Sequence, residues 1–88
     1  MTQKSAIPTI VDVRTNDEYL QAHVKDAINI PLDQVCQRLP EFRRMSLPIV
    51  VYCRTGNRSE IAVRLLKQNG IENAINGGSM DEIENKFL

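Results

Sequence analysis

At 88 residues the chain is long enough for one domain on a single hydrophobic core and too short for two. Hydrophobic residues make up 42% of it and charged residues 25%, the balance of a globular chain and not of a disordered one. Eleven Lys and Arg offset eleven Asp and Glu, so no global field favours nucleic acid or an acidic membrane surface, and any anion site must be local.

The opening "MTQKSAIPTI" has no long apolar core of the secretory kind, and no stretch approaches the roughly 20 apolar residues of a membrane span. The expectation is a soluble cytoplasmic protein, or a periplasmic one if a signal has been removed. "PTIVDV" is short, β-branched and apolar on both faces, as a buried parallel strand reads. In "RTNDEYLQAHV", Thr15 with Glu18 three residues on forms a capping box, so a helix begins after Thr15 and turns Tyr19 and Leu20 inward. "DAINIPL" is a second strand ended by Pro31. "LDQVCQRLPEF" reads as an amphipathic helix stopped near Pro40, with Leu32, Val35, Cys36 and Leu39 on its core face.

"PIVVYC" is the clearest strand, central by its continuous apolar character, and "RSEIAVRLLKQNG" the clearest helix. Ile61, Ala62, Leu65 and Leu66 form its stripe, and Asn69-Gly70 stops it. "ENAINGG" gives a further strand, and "SMDEIENKFL" a last helix capped by Ser79. This alternation predicts an α/β fold over residues 1–88, a mainly parallel sheet of about four to five short strands with helices on both faces. Ligands in such sheets bind beyond the carboxyl ends of the strands, where Asp12, Cys53 and Gly77-Gly78 fall.

Cys36 and Cys53 have no CxxC spacing, and only His23 accompanies them as a ligand type, so neither a metal site nor a disulfide is expected. Cys53 stands apart because it enters "CRTGNRS" between strand and helix. A helix entry presents amides without intrahelical partners, backed by the helix dipole. Gly56 and Asn57 tolerate positive φ, so the loop can curl its amides onto the sulfur, and Arg54 and Arg58 add charge at the rim. Such surroundings lower a thiol pKa to roughly 3.5–7.5, which makes Cys53 a nucleophile at neutral pH. Two chemistries stay open on the residues alone: phosphoryl transfer through a phosphocysteine, and capture of sulfane sulfur as a persulfide. Loop size separates them, since a phosphoryl group needs a wider ring of amides than one added sulfur.

The chain resembles the rhodanese-like sulfurtransferases, and among them the short single-domain thiosulfate sulfurtransferases. The resemblance rests on "IVDVRTNDEYLQAHVKDAINIPL", on "IVVYCRTGNRSEIAVRLL" and on "NAINGG". It implies a catalytic Cys53 whose six-residue loop, ending at Arg58, has the persulfide length, one residue shorter than in the related phosphatases. The outer sulfur of thiosulfate would pass to Cys53 and on to cyanide or a thiol, held by amides from Arg54 through Ser59, with no metal or organic cofactor. The alternatives are a non-catalytic binding or regulatory module on the same fold and a cysteine-based phosphatase or arsenate reductase.

Within that scheme Arg58 binds the sulfonate end of the donor or the departing sulfite, Arg54 tunes charge at the mouth, and the Thr55 and Ser59 hydroxyls help orient the sulfur. Asp12 and Arg14, one residue apart and so on one face of the strand, support the loop from beneath. His23 and Tyr19 are structural and Glu18 is a helix cap. The chain departs from the resembling family in having Ala22 and Asp26 where glycines are usual and no tryptophan after the Gly-Gly pair, and Asp26 is expected to carry a positive φ.

Overall fold

Four short apolar runs become the strands of one sheet in the computed structural model, which describes residues 7–88. Most of the opening stretch inspected for a signal lies outside the described residues. The strands are β1 (Thr9–Asp12), β2 (Ile28–Asn29), β3 (Ile49–Tyr52) and β4 (Ala74–Gly78), in the order β2-β1-β3-β4. Every neighbouring pair is parallel, so all the carboxyl ends meet at one edge. The α/β architecture expected from the alternating pattern is the one observed.

The unbroken hydrophobicity of β3 follows from having no solvent face. Ile49 and Val51 join Val11, Phe42 and Leu66 in one core, while Val50 and Tyr52 join Ile10, Val24 and Ile83 in another. Helices cover both faces. Helix α3 (Asn57–Gln68) and the short α2 (Leu39–Arg43) close the first core; α4 (Met80–Lys86) and α1 (Asn16–Gln21) lie over the second, with Tyr19 and Phe87 half-buried there. Among the described residues no helix is long and apolar enough to cross a membrane.

Both expected caps form. Thr15 accepts from the Glu18 amide while Glu18 accepts from the Thr15 amide, and Ser79 and Glu82 repeat the exchange at α4. Asp26 has φ 67°, the left-handed conformation expected of it.

Three packing expectations are corrected. Leu20 is 69% exposed, because the six-residue α1 turns Tyr19 toward the sheet and Leu20 lies about 100° further round. On α3 the inward set is Ser59, Ala62, Val63 and Leu66, at i, i+3, i+4 and i+7, which leaves Ile61 49% exposed. The "LDQVCQRLPEF" segment is two 3-10 turns, Leu32–Gln34 and Cys36–Arg38, followed by α2. Pro40 starts that helix instead of ending one, since the amide it lacks is unneeded in a first turn. The tighter 3-10 winding buries Val35 and turns Cys36 outward to solvent.

Candidate active site

Cys53 directly follows β3, and its amide donates to the Gly78 carbonyl at 3.0 Å, which ties the loop to the end of β4. Gly56 takes φ 96° at the N-cap of α3, a conformation that costs glycine little. The turn aims two amides at the sulfur: Cys53 Sγ accepts from Gly56 N–H at 3.0 Å and from Ser59 N–H at 3.4 Å. The Ser59 hydroxyl lies 3.4 Å from the same atom. With only 1% of the residue exposed, burial pushes the Cys53 thiol up. The Ser59 hydroxyl and amide and the amides of Thr55 and Gly56 outweigh that, and the thiol settles below its ordinary value.

The predicted loop residues divide by role. Gly56 and Ser59 touch the sulfur, whereas the side chains of Arg54, Thr55 and Asn57 face outward, Arg54 with 77% of its side chain exposed. Arg58 turns to α1, where its Nη1 and Nη2 donate to the two Glu18 carboxylate oxygens at 2.8 and 3.1 Å. That guanidinium, with the Thr15 amide, holds the Glu18 carboxyl down at about 2. Glu18, expected to be a cap alone, is therefore both cap and ion-pair partner.

Asp12 and Arg14 come together as their spacing implied. Arg14 donates through Nε and Nη2 to Asp12 at 2.7–3.0 Å and through Nη2 to the Ala22 carbonyl at 2.6 Å. Tyr52, the residue before Cys53, joins this pair: its hydroxyl donates to Asp12 at 2.7 Å and accepts the Val24 amide at 3.0 Å. Burial pushes the Tyr52 phenol far above its ordinary value, so it stays a neutral donor. Arg14 and Cys53 share a hollow of about 240 Å³ with Arg54, Ser79, Met80 and Asp81. Among the described residues no group of three or more His, Cys, Asp and Glu gathers to hold a metal ion.

A cysteine cupped by helix-entry amides between the first and last strands of a parallel sheet is the arrangement that the sequence resemblance leads one to expect, and residues 1–86 match the rhodanese-like domain. This chain belongs to the rhodanese-like domain family. It is 35% identical over 78 residues to the thiosulfate sulfurtransferase PspE of Escherichia coli (strain K12), a stretch covering 83% of this chain and 71% of that protein. It is 39% identical over 67 residues to YrkF of Bacillus subtilis (strain 168), a candidate sulfur carrier protein, and the match spans 76% of this chain but only 36% of YrkF. A solved E. coli rhodanese with anions superposes with a TM-score of 0.74 at 33% identity, covering 86% of this chain and 91% of that one.

Sequence reasoning missed two members of this rhodanese-like site, Tyr52 and Asn76. Asn76 bonds in four directions. Its Oδ1 accepts from the Ser59 hydroxyl at 2.6 Å and the Gly78 amide at 3.0 Å, while Nδ2 donates to the Gly56 carbonyl at 3.1 Å and to Glu60 at 3.3 Å. The backbone partners fix which way its amide faces. The available signal was its place two residues before Gly78, at the same sheet edge as Cys53.

Proposed function

We propose that this rhodanese-like chain is a sulfurtransferase that moves sulfane sulfur from thiosulfate, or a similar small anionic donor, through a Cys53 persulfide to cyanide or a thiol. The observation that carries this reading is the buried Cys53 sulfur receiving two amides and facing a hydroxyl at the entry of α3. The Cys53 thiolate attacks the outer sulfur of thiosulfate, the donor's S–S bond breaks, and its electron pair leaves with sulfite. The remaining perthiolate is one atom longer than the thiolate and stays within reach of the α3 entry and the hollow shared with Arg14 and Arg54. An acceptor nucleophile then takes the terminal sulfur and returns Cys53 as thiolate. The scheme uses no metal or organic cofactor. The kinship with PspE and the match over residues 1–86 support reading residues 1–88 as one catalytic domain of this kind.

Intact-mass measurement after incubation with thiosulfate tests it. A gain of one sulfur is expected in the parent and not in Cys53→Ala, with thiocyanate released when cyanide is added. Absence of thiocyanate from the intact protein would refute the scheme, and turnover of a generic phosphate ester would favour the phosphatase alternative instead.

A further inference from the structure

Arg14 and Arg54 line the hollow on Cys53 and Arg58 closes its loop, and the structure shows two of these three already neutralised. Arg14 is held by Asp12 at 2.7 Å. Arg58, the loop-closing arginine, spends both outer nitrogens on the Glu18 carboxylate. Glu18 is not free to release it, because Oε1 also accepts the Thr15 amide at 3.0 Å as one half of the α1 capping box. Swinging the carboxylate toward solvent would give up that half of the cap. The third cation, Arg54, is mostly exposed and still lies 4.0 Å from the same carboxylate. The hollow that opens on Cys53 is also lined by a further carboxylate, Asp81. The charge that meets an incoming donor is therefore much smaller than a count of arginines suggests.

We propose that Glu18 is a specificity-determining residue, which by occupying Arg58 sets this site for sulfane donors carrying one negative charge over those carrying two. The inference rests on the persulfide chemistry proposed above. The preferred donor class is then a thiosulfonate-like anion, R–SO2–S⁻, and thiosulfate is the poorer substrate. The step is otherwise the same. The Cys53 thiolate bonds to the outer sulfur, the donor's S–S bond breaks, and the sulfinate R–SO2⁻ leaves with the electron pair, so charge and atoms balance.

The test compares second-order rates of sulfur uptake, read by intact mass, for thiosulfate and methanethiosulfonate on the full chain. Both donors meet one thiol, so any change in thiol reactivity cancels in their ratio. Glu18→Gln keeps the capping geometry, since glutamine serves at that position, but removes the charge. It is expected to raise the thiosulfate-to-thiosulfonate ratio about fivefold or more, the effect of one uncompensated cation on one extra donor charge near a wet surface. The paired variant Glu18→Gln/Arg58→Gln, which again leaves no net charge there, should return the ratio to that of the parent. An unchanged or lower ratio in folded Glu18→Gln overturns the inference. So does a ratio in the paired variant well below that of the parent, which would mean that Arg58 binds the dianion despite Glu18. If the parent takes up sulfur from neither donor, the proposed function fails and the inference with it, a result distinct from either of these.

Discussion

The hydroxyl of Tyr52 sits in the interior between an acceptor, Asp12, and a donor, the Val24 amide. Tyr52→Phe strips a partner from each and should cost about 1–3 kcal/mol in urea unfolding, the usual penalty for stranding buried polar groups; a loss within experimental error would mean that the network carries no stability. Asn76 tests the sulfur itself. Its Oδ1 competes with the Cys53 sulfur for the one Ser59 hydroxyl proton, and Asn76→Asp puts a full negative charge one hydroxyl away from Cys53 and cannot donate to the Gly56 carbonyl. The pH midpoint for alkylation of Cys53 should rise, and an unmoved or lowered midpoint would contradict the assignment. Asp12 and Arg14 could be paired from the sequence because their partnership is local, one residue apart on a strand. Tyr52 and Asn76 could not, since they act on residues 40 and 17 positions away and no periodicity encodes such bonds.

Between elements, the close approach of α4 to the sheet depends on Gly77. A Cβ there would run into Ile83 and Val50, and the register of β4 against β3 slips between Val51 and Tyr52, so that Gly77 lies in a bulge. Gly77→Ala should destabilise by about 1–3 kcal/mol, as overpacking does, and slow sulfur uptake because Gly78 anchors the Cys53 amide. Normal uptake in a destabilised variant would detach this bulge from the site. Strand β3 and helix α3 are legible in outline because each is strongly patterned, β3 as an unbroken apolar run and α3 by its periodicity, although the inward stripe of α3 lies one position from the one its spacing suggests. The segment from Leu32 to Arg43 was not, because apolar spacing of three and four fits consecutive 3-10 turns as well as one α-helix, and Pro40 can open a helix as readily as follow one.

For the molecule as a whole, acid should act through the contact of α1 with the loop. The Glu18 carboxyl falls from an ordinary 4.5 to about 2 in the folded chain. A depressed carboxyl contributes stability that is fully present above its unfolded value and lost as pH falls toward its folded one, so the pair fades between these limits. Urea unfolding near neutrality and at about pH 3 should show a smaller acid loss in Glu18→Gln than in the parent; equal losses would leave other carboxylates responsible. The strand order has a further consequence for how the chain finds this state. Among the described residues no neighbouring strands form a hairpin, and Thr9 pairs with Ile49, forty positions on, while Ile49 pairs with Ala74. Each ladder must close a long loop before any contact rewards it, so contact order is high and refolding slow for the chain's length. The helices can form early, but the sulfur cradle needs β1, β3 and β4 together. Recovery of the mass gain with thiosulfate during refolding should therefore lag behind recovery of helical signal, and it marks the moment when the last of these loops has closed.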